Sequence, residues 1–221
     1  MTLSGPCLVV VGMASETRGL RRGPGRTPLI VIGVGGLDAA MALGPAAVVS
    51  FGLCGALDPA LALGQLVIGT TVIGDPQLGD ARSWPTDQAL SDRLALQWPN
   101  ARRDAVAGTD EIVGDALAKA ELRTRTGAGI VDMESRQAGA AAAKAGLPFA
   151  ILRAVSDGAT QTLPFAAQAG FRPDGTVDVL AVVMALLARP GELPPLIRTA
   201  IHAGTGLRTL ARAAAVLRTL D

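Results

Sequence analysis

Two carboxylates in this chain are spaced as an enzyme would need them. Gly129-Ile-Val-Asp-Met-Glu-Ser135 holds Glu134, and Arg153-Ala-Val-Ser-Asp157, beginning eighteen residues after Ser135, holds Asp157. The first lies where a helix opens and the second where a buried apolar run ends, so the two acids meet different surroundings. A helix N-terminus favours an anion by about 0.3–1 kcal/mol, which by itself accounts for Glu134. A carboxylate kept ionised by that dipole also suits both hydrogen bonds of a sugar 2′,3′-diol, with Met133 beside it as a soft packing surface. Asp157, between Ser156 and Gly158, fits a plain turn. It equally fits an acid at the carboxyl end of a central strand. Partial burial there raises the pKa and lets the group carry a proton to a leaving group at neutral pH.

Other residues bear on this pair. Strand alternation puts Arg153 on the same face as Val155 and Asp157, where it opposes that rise unless it pairs with another acid such as Glu134. Glu16, in Gly12-Met-Ala-Ser-Glu-Thr-Arg18, reads either as a base that activates water or as an acid opening a helix. Ser50-Phe-Gly-Leu-Cys-Gly-Ala56 follows another apolar run. Its Gly52 and Gly55 either let backbone N–H groups approach a ligand closely or serve a turn that needs positive φ. Gly33-Val-Gly35-Gly36 fails the dinucleotide-loop spacing. The third glycine position is Ala39, and Asp38 falls in the next helix rather than about 20 residues on. Those glycines are read as a tight strand–helix turn.

Composition narrows the classes. The chain of 221 residues has a net charge of +1, and 49% of it is apolar but only 3% aromatic, with no Tyr. A near-neutral chain has no electrostatic footprint for nucleic acid. One histidine, His202, and two cysteines supply neither a zinc ligand set nor a Ser-His-Asp triad, so no metal is expected. Cys7 and Cys54 sit in apolar or glycine-rich runs and read as reduced small hydrophobes. The first residues lack a basic leader, and no apolar run reaches the roughly 20 residues of a membrane-spanning helix, so a cytoplasmic location is expected.

The elements that must position these residues follow from apolar runs and breakers. Cys7–Val11, Leu29–Val34, Ala47–Phe51, Leu66–Ile73, Ala105–Ala107 and Phe149–Val155 read as strands. Several lack alternation, as strands covered on both faces do. Leu37–Leu43, Thr86–Trp98 and Asp132–Ala145 read as helices, with Thr86 capping the second and Gly146 with Pro148 stopping the third. The mostly β-α-β order predicts a three-layer α/β/α domain around a central mixed, twisted sheet. Gly158–Gly175 reads as a lid, an entrance loop or an ordinary surface connection, and Val177–Ala188 as a buried helix. Residues 1–190 form the catalytic domain in this reading, and residues 191–221 a linker-like break at Pro190–Pro195 followed by a basic amphipathic helix over Leu196–Leu220. Leu207, Leu210, Ala214 and Leu217 share its apolar face, with Arg208, Arg212 and Arg218 off it. Such a helix packs on its own domain, on a partner subunit or on an anionic membrane surface.

Taken in order over most of residues 7–190, these segments resemble the purine nucleoside phosphorylase and nucleosidase superfamily. Val131-Asp-Met-Glu-Ser135 is similar to its V-E-M-E-[AS] motif and Arg153-Ala-Val-Ser-Asp157 to its R-x-[IV]-S-D motif. Ser50–Leu57 with Gly64-Gln-Leu-Val67 resembles its glycine-rich loop and following strand. The resemblance implies cleavage of the N-glycosidic bond of an adenine nucleoside, with no cofactor and with water or phosphate as nucleophile. It implies that Glu134 binds the ribose hydroxyls, Met133 lines the sugar pocket, and Asp157, supported by Ser156, faces N7 of the purine. Gly52, Leu53, Cys54, Gly55, Arg153 and Ile112 join them as substrate-binding residues. Glu16 takes the water-activating position if one residue is deleted after Gly12; otherwise Thr17 does. The phosphate-binding Arg and Ser of phosphorylases are replaced by Ser50 and Leu53, with Arg18 or Arg82 as substitutes. No aromatic stands in Gly108–Val113, where many relatives stack one on the base. Within the superfamily the chain looks most like the hopanoid-associated phosphorylases. That implies a lipid-linked substrate, adenosylhopane, and peripheral membrane contact through the C-terminal helix. Soluble methylthioadenosine or adenosylhomocysteine nucleosidases and a non-catalytic binding module are the alternatives. Relatives are oligomers, so a homo-oligomer is expected.

Overall fold

The computed structural model describes residues 5–20, 29–170, 178–214 and 217. Its strands are β1 (Cys7–Val11), β2 (Leu29–Gly33), β3 (Ala47–Ala56), β4 (Leu66–Gly74), β5 (Ser83–Pro85), β6 (Arg102–Gly108), β7 (Ile130–Asp132) and β8 (Phe149–Asp157). Its helices are α1 (Leu37–Met41), α2 (Gln88–Gln97), α3 (Ala116–Thr126), α4 (Ser135–Ala145), α5 (Phe165–Ala169), α6 (Val179–Ala188) and α7 (Leu193–Ala213).

The sheet is mixed, as the sequence predicts. β1 runs parallel to β2 and to β3, and β3 runs parallel to β8. β8 pairs antiparallel with β4, β4 parallel with β6, and β6 parallel with β7. β7 then returns antiparallel to the far end of β3 at Gly55 and Ala56. Five strands therefore close on themselves, with β2 and β1 extending the sheet beyond β3 and β5 on an edge of β4.

Helices cover both faces. Cys7, Val9 and Val11 of β1 pack toward Leu90 and Leu94 of α2 and Leu210 and Ala213 of α7. Leu8 and Val10, pointing the other way, pack with Leu37 and Ala40 of α1 and Ala138 and Ala142 of α4. Alternate residues thus enter opposite cores, and this is why β1 and β3 show continuous apolar runs with no polar face. The same parity places Ser50, Gly52 and Arg153 on the α4 side of the sheet, with Gly52 opposite Arg153 in the β3–β8 pair.

Several local expectations are corrected. Asp132 belongs to a short strand, β7, and α4 begins only at Ser135. Three apolar-edged residues are too few to register as a strand by periodicity. α2 is capped by Asp87, whose carboxylate accepts from Leu90 N at 2.8 Å. Thr86 instead donates its hydroxyl to the Gly69 and Thr70 carbonyls. Gly146, at φ +64, ends α4 in the left-handed conformation open to glycine. The α6 helix is not buried: Val179, Leu180, Met184 and Leu187 are exposed, and Ala185 alone is buried. Val177, where that helix was expected to start, lies outside the described residues.

Pro190–Glu192 forms one tight helical turn, and α7 lies along the sheet. Its Leu210, Ala213, Ala214 and Leu217 side join the core, while Leu193, Ile197 and Ile201 are exposed. Gly206 lets α7 approach closely, because a Cβ there would sit 2.6 Å from Leu53 Cδ2 and 3.2 Å from the Val155 carbonyl. Among the described residues no single helix is long and apolar enough to cross a membrane.

Candidate active site

The carboxyl ends of β1, β3, β7 and β8 converge, and ligands in open α/β sheets bind beyond such ends. A cavity of about 320 Å³ opens there. Glu16, Glu134 and Asp157 line it together with Met133, Ser156 and Ile112. Leu53, Cys54 and Gly55 of the glycine-rich segment form part of its wall. Its apolar side comes from Val113, Leu163, Ala203 and Leu207, so α7 and the stretch after β8 both close over it. Gly158–Gly175 therefore supplies cavity wall through Leu163, Ala167 and Gln168, although its residues 171–175 are outside the described set.

Arg153 lies beneath this cavity rather than on its wall, and it is wholly buried. Its Nη1 is 3.1 Å from Glu134 Oε2 and donates to the Leu53 carbonyl at 3.2 Å. Its Nη2 donates to Ser50 Oγ at 2.5 Å and to Ser135 Oγ at 3.3 Å. Its Nε is 2.7 Å from Asp132 Oδ2 at an angle too bent for a hydrogen bond, so that contact is an ion pair alone. Gly52 is likewise off the wall. A Cβ there would lie 2.5 Å from Arg153 Nη1 and 2.7 Å from Glu16 Oε1, so the position has to be glycine for a different reason from the one the sequence suggested. Arg153 and Gly52 instead abut Glu134 and Glu16, which do line the cavity.

Glu16 sits on a tight helical turn, Ala14–Thr17, just after β1. Its Oε2 accepts from Gly12 N at 2.8 Å and Met13 N at 2.9 Å, and its Oε1 accepts from Leu53 N at 2.8 Å. Burial raises its pKa, with Arg153 and these three N–H groups pulling the other way. Glu16, not Thr17, faces the cavity; the Thr17 hydroxyl is used on the Ala14 carbonyl.

Glu134 is the N-cap residue of α4 but makes no side-chain capping bond. Asp132 caps the helix instead, accepting from Ser135 N at 2.9 Å and from the Ser135 hydroxyl through a short hydrogen bond. The Glu134 carboxylate turns to Arg153 and packs over Gly12, where any Cβ would overlap it. The expectation that the helix dipole keeps it ionised is corrected. Burial raises its pKa from 4.5 to about 7, against Arg153 and with help from Asp132 and Glu16.

Asp157 is not a lone acid. Its Oδ2 forms a short ion pair with Lys119 Nζ of α3, and its Oδ1 is 2.6 Å from Ser156 Oγ. That hydroxyl also reaches the Cys54 carbonyl at 3.0 Å. Sequence reasoning missed Lys119 because it did not assign α3, although Asp115 and Gly127 cap that helix at either end. It also passed over Asp132, which lay inside the motif that drew attention to Glu134.

Among the described residues that line the cavity none is Arg or Lys, and none is aromatic. Arg82 pairs with Asp80 and lies 5.2 Å over the Trp84 ring, and Arg18 does not reach the wall. Ser50 is fully buried against Arg153 and Ser135.

A three-layer α/β fold with a carboxylate-lined cavity at its strand ends defines a class of small-molecule enzymes. The sequence matches the phosphorylase superfamily over residues 34–188, and the chain belongs to it. No curated protein matches the chain in sequence. Solved structures share its fold at low identity. The 5′-methylthioadenosine/S-adenosyl homocysteine nucleosidase of Campylobacter jejuni is 17% identical, with a TM-score of 0.62 over 95% of this chain and 100% of that one. The Helicobacter pylori nucleosidase of the same name, crystallised with butyl-thio-DADMe-Immucillin-A, is 16% identical, with a TM-score of 0.66 over 95% and 97%. The futalosine hydrolase of the same organism is 15% identical, with a TM-score of 0.63 over 94% and 97%.

Two outcomes follow for stability. Replacing Arg153 by Met leaves Asp132, Glu134 and Glu16 without their counter-charge and is expected to cost about 3–5 kcal/mol, measured by denaturant unfolding at neutral pH. Glu134 has the opposite sign. Its native carboxyl binds a proton more tightly than the unfolded chain does, so its contribution to stability is complete below about pH 4.5 and is lost as pH rises through about 7. Glu134→Gln is expected to raise Tm by a few degrees above neutrality and to leave it unchanged in acid, since Arg153 keeps its other two acids.

Proposed function

We propose that the protein hydrolyses the N-glycosidic bond of an adenine nucleoside, releasing adenine, and that its substrate is adenosylhopane. Membership of the phosphorylase superfamily makes the chain a nucleoside N-glycosyl bond-cleaving enzyme. The observation that carries the finer reading is the single cavity shared by Glu16, Glu134 and Asp157. Its volume suits a nucleoside but not a pentacyclic lipid as well, so the lipid part lies outside it.

The chemistry follows from charge. Bond cleavage leaves a cation on the sugar and electrons on the base. Glu134, paired to Arg153, accepts the 2′,3′-diol, and its negative charge favours the cation. Glu16 stands ready to take a proton from water. Asp157 protonates N7 of the departing purine, a contribution of about 10²–10⁴-fold. The absence of Arg and Lys from the described wall, and the burial of Ser50, support water over phosphate as nucleophile.

The lipid part is accommodated by the outer face of α6 and α7. Leu180, Met184 and Leu187 are exposed there with Leu193, Ile197 and Ile201, and Arg189 and Arg198 are exposed beside them. Apolar and basic groups on one face suit an anionic bilayer surface. The C-terminal helix thus serves two sides, one packed on the sheet and one turned outward.

The deciding measurement is adenine release from adenosylhopane, methylthioadenosine and adenosylhomocysteine, with and without phosphate. Phosphate-independent release, with adenosylhopane preferred, is the expected result. Preference for the soluble nucleosides assigns the protein to the methylthioadenosine and adenosylhomocysteine nucleosidases, and no release from any of them overturns the reading. Asp157→Asn is expected to lower turnover at least about 100-fold with the fold intact. Because Glu134 must be ionised to accept the diol, kcat/KM is expected to fall as pH drops through about 7, and Glu134→Gln to abolish that limb.

A further inference from the structure

We infer that Lys119 holds the proton that Asp157 delivers to the purine, so that the working acid is a lysine–aspartate pair. The inference rests on the proposed N-glycosidic cleavage. Lys119 is 1% exposed and does not reach the cavity wall. Its ammonium has three donors and three acceptors: Asp157 Oδ2, the Gly158 carbonyl at 3.0 Å and the Gln161 carbonyl at 3.0 Å. Every N–H is used, so Lys119 meets no substrate and acts only through Asp157. It is a positioning residue.

Burying an ammonium costs several kcal/mol unless it is paired, and tying down a loop needs only a neutral donor. The charge therefore answers to Asp157. A carboxyl alone gives up its proton near pH 4, whereas an ammonium keeps its own to about pH 10. The hydrogen bond from Lys119 Nζ to Asp157 Oδ2 gives that proton a direct path to the carboxyl that lines the cavity. When the C1′–N9 bond breaks, its electron pair passes to the base. Asp157 gives a proton to N7, and Lys119 Nζ gives one to Asp157 and is left as the amine. Glu16 takes the proton of the water whose oxygen bonds C1′ and releases it to solvent, from which Lys119 recovers its own after adenine leaves.

Other ionisable groups around the pair are the Cys54 thiol of β3, Glu111 and Glu134 on the cavity wall, and His202 of α7, bonded at 3.0 Å to Gln161 Oε1. On α3 itself Asp115 is used on the helix cap and Arg123 on Asp58. In the described structure the ammonium of Lys119 is the cation in contact with Asp157.

The test is adenine release by Lys119→Met, Lys119→Gln and Lys119→Arg across pH, with thermal unfolding as the check on folding. Lys119→Met is expected to lower kcat about 10- to 100-fold near pH 8, to change KM less than about 3-fold, and to move the alkaline limb of the kcat profile down by more than about one pH unit. Lys119→Arg keeps the charge but cannot give up its proton, and is expected to stay as slow. Lys119→Gln still donates to the two carbonyls and takes the place of Met if that variant unfolds. Wild-type kcat in Lys119→Met or Lys119→Gln, full rescue by Arg, or a uniform loss with the alkaline limb unmoved would each overturn the inference. An inactive Asp157→Asn beside a fully active Lys119→Gln overturns it alone, whereas a wild-type protein that releases no adenine overturns the cleavage reading beneath it.

Discussion

A single buried guanidinium organises this molecule. Arg153 touches acids or hydroxyls from β3, β7 and the start of α4, and its charge also acts on Glu16 of the turn after β1. Asp132, Glu134 and Glu16 would repel one another in a water-poor interior, and Arg153 lets them coexist. One positive charge does not offset three negative ones. The imbalance is visible at Glu134, whose carboxyl burial and its two acid neighbours push up to about 7. The cavity floor therefore holds its carboxyls in fixed positions around one guanidinium, and in their ionised form they favour a nearby cation without reorganisation.

The other end of the cavity is built on different terms. Leu163, Ala203 and Leu207 give an apolar wall, and the helix that supplies two of them turns Ile197 and Ile201 outward. Asp157 lines the cavity too, with the Lys119 ammonium of α3 paired behind it. The cavity's carboxylates thus cluster near the strand ends, and its apolar lining comes largely from the helices and loops laid over them.

Much of this was legible in the sequence, for identifiable reasons. β1, β3 and β8 are covered on both faces, so their apolar runs are unbroken and announce themselves. Glu134 and Asp157 stood out because both sit at element ends in paired motifs, and Glu16 was reachable as an alternative to Thr17. What escaped had weaker local signals. β7 is three residues long and borrows its regularity from β3 and β6. α3 carries little apolar periodicity, so neither the helix nor its Lys119 was picked out. Arg153 was read as a possible ligand contact because alternation gives a face but not a depth. α6 was read as buried because its composition is apolar all round, and composition cannot tell a core from an unpartnered exterior.

Gly12 and Gly52 set how far the cavity can be remodelled. Each is pressed against a carboxylate, leaving no volume for even a methyl group. A side chain at either position would push the carboxylate it abuts out of place. Leu53, Ile112, Leu163 and Leu207 carry no such restriction. Changes along that wall can alter the cavity's shape while the packing around the carboxylates stays as it is.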